Sequence, residues 1–198
     1  ADNTSSYTGD GVSGLYIWGA QNEAGGFATS YIATTTAAVT RAADTLDSAG
    51  AHFLGWFNKP SGTFVLELSW FQTGKSTCGL YIQRVGLAPR HQVTVGSTGI
   101  PGYAAVDDVG TVGVTGISSG SVAVNTVTKL AVGYSDNDFK FVRDYGTIQT
   151  DTSGLVPLTV DVARFGSGGP GALNGHLRRF RAWGTRFDDT AFRELTAA

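Results

Sequence analysis

The sequence predicts an all-β fold: an antiparallel β-sandwich of the jelly-roll kind, closed by one short C-terminal helix. Three observations point there. The 198 residues include 28 Gly but only 3 Glu, 4 Lys and no Met, so strand and turn formers far outnumber good helix formers. Short apolar runs recur along the chain, most of them bounded by Gly, Pro, Asn or Asp. The length suits one core large enough to cover most of the apolar surface.

Taken in order, residues 1–14 are mostly Asp, Asn, Thr, Ser and Gly and read as a solvated lead-in. Leu15-Tyr16-Ile17-Trp18 reads as a short strand that must pair with its own sheet or another chain. Phe27 to Asp44, rich in Thr and Ala without a steady period, reads as an extended connector. The domain boundaries are therefore 1–44 for an extended N-terminal arm and 45–198 for the sandwich.

Within the sandwich, Phe64, Leu66, Leu68 and Trp70 alternate with Thr63, Val65, Glu67 and Ser69, the pattern of a half-buried strand. Further strands are expected at 80–84, 92–95, 103–106, 111–117 and 122–127. Residues 129–134 and 139–142 flank Ser135-Asp136-Asn137-Asp138, whose side chains favour a hairpin turn. Arg143-Asp144-Tyr145-Gly146 makes a second turn before a strand at 147–150. Leu158, Val160 and Val162 then alternate toward Phe165, completing a meander. Near the end, Leu177 and Phe180 are three apart and cannot both face inward at period two unless a bulge falls at Arg178-Arg179. Asp188 is placed to cap the helix, with Phe192 and Leu195 on its apolar face and Phe187 beneath its start.

Charge and cysteine content narrow the function. Only 15% of residues are charged and the net charge is −2, so no broad positive field exists for a nucleic acid. No apolar run reaches the roughly 18 residues needed to span a bilayer, and the start lacks the pattern of a signal peptide, so no membrane insertion is expected. Cys78 is the only cysteine, which excludes an internal disulfide.

Motifs that suggest chemistry fail on context. Gly116-Ile117-Ser118-Ser119-Gly120 has the letters of a nucleophile elbow, but Ser121 to Val124 reads as strand where a helix is required, so a hairpin turn is expected. The run from Gly166 to Gly171 precedes a strand where a dinucleotide fingerprint opens a helix, contains Pro170 and lies far from any βαβ unit, and Gly74-Lys75-Ser76 lacks the first Gly of a phosphate loop. Glu67 has Ser69 and Gln72 where a glycosidase strand needs carboxylates. His52, His91 and His176 have no ligand-like spacing to one another or to Cys78. Asp107-Asp108 and Asp136-Asn137-Asp138 offer oxygen ligands for Ca²⁺ but read better as turn residues. Neither a catalytic centre, a metal site nor a cofactor is expected.

Sugar sites stack pyranose faces on aromatic rings. Trp56, Trp70, Tyr103 and Tyr145 are the candidates, while Trp18 and Trp183 are expected to pack. Arg178 and Arg181, with His176 and Arg179, put positive charge along one strand and suit an anionic polysaccharide or an acidic neighbouring subunit.

Three blocks carry a family likeness: Tyr16-Ile17-Trp18-Gly19-Ala20-Gln21 with Thr29-Ser30-Tyr31-Ile32, Thr40-Arg41-Ala42-Ala43-Asp44, and Asn174-Gly175-His176-Leu177-Arg178-Arg179-Phe180-Arg181. The chain resembles phage virion proteins, such as tail fibres, spikes and head fibres, that carry a laminin-G-like, concanavalin A-like lectin jelly roll. Arg143-Asp144-Tyr145-Gly146 departs from the Asn-Gly or Asp-Gly turn common in such hairpins. The resemblance implies a structural or host-recognition component on the virion surface that binds cell-surface polysaccharide. Its expected partners are other virion proteins and further copies of itself, a homotrimer being the expected assembly. Two alternatives stand beside it: an architectural capsid or tail decoration protein, and a polysaccharide lyase or glycoside hydrolase with an acid pair or a His-Tyr pair in a groove.

Overall fold

The computed structural model describes residues 9–14, 16, 18–22, 31–39, 45–71, 73–86, 88–110, 112–169 and 171–197, with backbone alone at 112–116. The chain divides into two compact units, Ala1–Asp44 and Thr45–Ala198.

In the first unit the described residues form no strand or helix. Leu15 and Ile17 of the expected strand, the block 40–44 and residues 27–30 lie outside the described residues. Trp18, expected to pack, is 84% exposed and meets Tyr31 edge-on at 6.0 Å. Local hydrogen bonds join several of the described residues. The Asp10 carboxylate accepts from the Val12 and Ser13 amides and the Ser13 hydroxyl, which lowers its pKa to about 2. Gln21 Oε1 accepts from the Ile32 amide at 2.8 Å.

The second unit begins with β1 (Leu46–Ala49), α1 (Gly50–Trp56), β2 (Ser61–Trp70), β3 (Thr77–Gln83), β4 (Arg90–Val95), β5 (Pro101–Val106) and β6 (Val112–Ser118). It continues with β7 (Thr128–Ser135), β8 (Asp138–Arg143), β9 (Gln149–Asp151), β10 (Val162–Phe165), β11 (Gly175–Trp183) and α2 (Asp189–Glu194). Two antiparallel sheets result, one ordered β1-β10-β3-β4-β5-β6 and the other β11-β2-β7-β8-β9. The predicted fold class holds, and so does the alternation of side chains between the two faces of each strand that predicted it. Phe64, Leu66, Leu68 and Trp70 of β2 meet Leu80, Ile82, Val93, Val95 and Tyr103 of the opposite sheet in one core.

Several local predictions hold in detail. β7 and β8 form the hairpin, with Ser135 opposite Asp138 and Asn137 at φ 56°, a left-handed backbone that Asn tolerates. In β11 the register shifts between Leu177 and Arg179, so Leu177 opposes Leu68 and Phe180 opposes Leu66, and both pack inward. Asp188 caps α2 by accepting from the Ala191 amide at 2.9 Å.

Four expectations need correction. β2 is buried on both faces, because Val65 packs with Ala131, Val142 and Phe192 on the outer side of its sheet. For the same reason α2 lies over that outer face and does not close an end of the sandwich. Residues 122–127 are not a strand: they carry the chain from β6 in one sheet to β7 in the other, with Asn125 at φ 62° donating its amide to the Trp70 carbonyl. Leu158 and Val160 also lie in a loop, and the strand begins only at Val162, so no continuous meander forms.

A second helix, α1, had little signal in sequence. It has two Gly and no side-chain cap, and it forms because Phe53 and Trp56, three apart, meet edge-on at 5.3 Å while Phe53 stacks on Phe57 at 4.8 Å. No described helix is long and apolar enough to cross a membrane.

Candidate functional site

Alternation along β3, β4, β5 and β10 sends one set of side chains into the core and the other onto the outer face of the six-stranded sheet. Register aligns the outer set in rows. One row runs Asp47, Arg164, Tyr81, Gln92, Ala104 across β1, β10, β3, β4 and β5. Beside it, Val162, Gln83, Arg90 and Val106 form a second row, and Cys78, Thr94 and Gly102 a third. No described helix covers this face.

The groups on this face leave hydrogen-bonding capacity unspent. Arg164 Nε is itself buried and without a hydrogen bond, 3.6 Å from an Asp47 carboxylate oxygen in an ion pair too long for one, while the side chain as a whole is partly exposed. Arg90 Nε donates to Gln92 Oε1 at 3.1 Å, which fixes the amide and leaves its NH₂ side turned away from that bond. Gly168 and Gly169, in the segment after β10, border the face and lie against the Tyr81 ring. A Cβ at Gly168 would fall 2.7 Å from Tyr81 Cβ and Cγ and 2.9 Å from Cys78 Sγ, so only glycine passes there. Under this segment the Cys78 thiol is fully buried, which pushes its pKa up to about 12 and makes it inert.

At the sheet edges β1 and β11 flank a groove of about 290 Å³. Phe165, Leu177 and Phe180 wall it, with Asp47, Arg178 and Arg179 on its rim. Behind the wall Trp56 packs edge-on against Phe180 at 5.2 Å and donates its indole N–H to Ser48 Oγ at 3.1 Å.

The residues picked out from sequence are dispersed by the fold. Trp56 and Arg178 come together at the edge groove. Trp70 and Tyr103, both 1% exposed, belong to the core and cannot face a ligand. Trp70 shares the inward parity of Phe64, Leu66 and Leu68, so the alternation itself places it inside. The Tyr103 hydroxyl is satisfied there by a 2.6 Å hydrogen bond to His91 Nδ1. Tyr145 is exposed at the far turn, where Asp144 and Tyr145 sit at φ 45° and 59° and Gly146 closes the turn onto the Arg143 carbonyl. Its hydroxyl donates to Glu194 at 3.0 Å and its ring lies under Arg193. Arg181 is exposed on β11 and lies 5.6 Å from the Trp183 ring centre, away from the groove lining. Trp183 packs against Phe187, as expected. Sequence reasoning missed Tyr81, Gln92 and Arg164. The alternation of 80–84 carried a signal for Tyr81, whereas pairing with β10 was needed to find Arg164.

The remaining motifs are structural. His91 and Tyr103 form a His-Tyr pair in the closed core, not in a groove, and burial lowers the His91 pKa to about 3. Ser118 ends β6 and is followed by the crossing loop, without the helix of a nucleophile elbow or the expected hairpin. Asp107 Oδ1 accepts from the Val109 amide and caps its own turn, whereas Asp108 accepts from the Leu158 and Thr159 amides and the Thr159 hydroxyl, and Asp136 from the Val156 amide, so these two tie down the distant segment 156–159. The described residues contain no group of three His, Cys, Asp or Glu arranged to hold a metal ion.

No family model matches the chain, and no curated protein matches it in sequence. Solved structures do share its architecture. Against the CBM40 of Ruminococcus gnavus IT-sialidase bound to alpha2,3 sialyllactose, the TM-score is 0.60 at 15% identity, over 70% of this chain and 83% of that one. The same CBM40 bound to alpha2,6 sialyllactose gives 0.56 at 14% identity, over 69% and 83%. Trypanosoma rangeli sialidase gives 0.53 at 11% identity, over 70% of this chain but 22% of that one. The shared feature is the β-sandwich fold, and these neighbours are a sialidase CBM40 and a sialidase, not virion proteins.

Proposed function

We propose that residues 45–198 form a carbohydrate-binding domain that works by adhesion, without catalysis, at the surface of a phage-like particle. The row Asp47, Arg164, Tyr81, Gln92 on the open face carries this reading. A carboxylate acceptor, guanidinium and amide donors and an aromatic edge are what a hydroxyl-rich ligand with an apolar ring face requires. Gly102 and Ala104 keep the neighbouring floor low, so a sugar chain can lie across it.

Support comes from two further directions. Neighbouring sandwiches of the same architecture include a CBM40 bound to sialyllactose. The resemblance of the three sequence blocks to fibre and spike proteins supplies the virion setting, in which repeated weak sites act together through high effective concentration.

A glycan-binding screen on the full chain, after its mass in solution is measured, tests the reading. Binding to a bacterial surface polysaccharide that falls by about tenfold or more in Tyr81→Ala and in Arg164→Gln supports it. Stoichiometric capture by purified particles with no glycan bound favours an architectural decoration protein. Release of reducing ends or unsaturated sugars would establish an enzyme in its place.

A further inference from the structure

The edge groove holds a feature that the open face lacks. A regular strand sends consecutive side chains to opposite sides. In β11 the bulge breaks that rule: Leu177 and Phe180 both turn inward, so Arg178 and Arg179 share the other side, and both border the groove. Bulges re-aim side chains in this way beside binding sites.

Both guanidiniums are exposed, and among the described residues neither side chain has a hydrogen bond or an ion pair. Register places Glu67 opposite Arg179, yet no ion pair joins them. On the rim, Asp47 is already turned to Arg164. Two free, adjacent, planar cations therefore overlook an apolar wall made by Leu177, Phe180 and Phe165.

We infer that this groove is a second binding site, specific for an acidic sugar. The carboxylate or sulfate of one residue is held by Arg178 and Arg179, whose forks match planar and tetrahedral oxyanions. The apolar face of the same ring lies against Phe180 and Leu177. At about 290 Å³ the groove takes one or two sugar rings, not a protein domain. Charge complementarity selects an anionic ligand over a neutral one. That the ligand is a sugar rests on the carbohydrate reading above, while the site itself rests on the bulge and the groove.

Titration of the full chain with an oligogalacturonate, a sulfated galactan oligosaccharide and the corresponding neutral galactan tests the inference. The acidic probes are expected to bind more tightly than the neutral one, and the probe that binds identifies carboxylate or sulfate as the group recognised. Arg178→Gln with Arg179→Gln is expected to cost about tenfold or more in affinity for the acidic probe, Arg178→Lys with Arg179→Lys less, and Arg181→Gln under about twofold. No preference for acidic probes, full affinity in the double glutamine variant, or an equal loss in Arg181→Gln would overturn it. Circular dichroism of each variant separates lost binding from lost fold. Failure of the sheet-face reading is scored independently, by undiminished neutral-polysaccharide binding in Tyr81→Ala.

Discussion

The outer faces of the two sheets start from the same alternation of residues and reach opposite states. On the five-stranded sheet, Val65, Ala131 and Val142 turn outward and are sealed by Phe192 of α2. Arg186 lies over Gly133, where a Cβ would fall 2.8 Å from its Nε, and sits 5.3 Å from the Phe192 ring centre. Lys140 pairs with Asp189, and Lys129 Nζ donates to the Ala197 carbonyl at 2.6 Å, so charged groups fasten the cover at its rim. On the six-stranded sheet, the outward residues Arg164, Tyr81, Gln92 and Arg90 stay partly exposed, with Gly168 and Gly169 against Tyr81 along one side. After β11 the chain makes a helix with an apolar stripe; after β10 it makes a glycine-rich segment that lies over Cys78 and one side of Tyr81 and brings no apolar stripe to the rest of the face. Connections, more than the strands themselves, decide which face meets solvent.

Breaking the sealed face should have the largest effect. Phe192→Ala removes its buried ring and is expected to cost about 3–5 kcal/mol, read from the urea midpoint, because the cavity opens against β2 and β7. Polysaccharide binding at temperatures where the variant stays folded should be unchanged, since the open face is the opposite side of the sandwich.

Acid should weaken both faces together, through the core they share. His91 titrates near 3 when folded against 6.5 when free, so the unfolded chain takes up the proton first as pH falls. Stability is full above about pH 6.5 and declines below it, by about 1.4 kcal/mol per pH unit between the two values. His91→Gln, which retains an acceptor for the Tyr103 hydroxyl, should flatten that slope in urea melts at pH 4.5 and pH 7.

Crowding the open face is the next smaller perturbation. Gly168→Ala pushes on Tyr81 and on buried Cys78, at an expected cost of about 1–3 kcal/mol, with weaker polysaccharide binding as Tyr81 is displaced. The smallest effect belongs to the cap of the cover: Asp188→Ala should cost about 1 kcal/mol by loss of the bond to the Ala191 amide, with binding untouched. A loss of binding in Asp188→Ala as large as that in Gly168→Ala would mean that the two faces are not independent.

Local chemistry was legible in the residues alone. Period-two alternation in 63–70 identified a strand and its inward side, Asp136-Asn137 marked a hairpin, the three-residue gap between Leu177 and Phe180 required a bulge, and Asp188 announced a helix. Each of these depends on neighbours a few positions apart, which the chain itself holds side by side. Strand pairing across the sandwich is different, because it joins residues from opposite ends of the domain. Asp47 meets Arg164 only because β10 slots between β1 and β3, and Tyr103 is lost to the core only because His91 waits there for its hydroxyl. Alternation tells which side chains share a face, but which face is covered depends on where distant segments come to rest, and packing settles that.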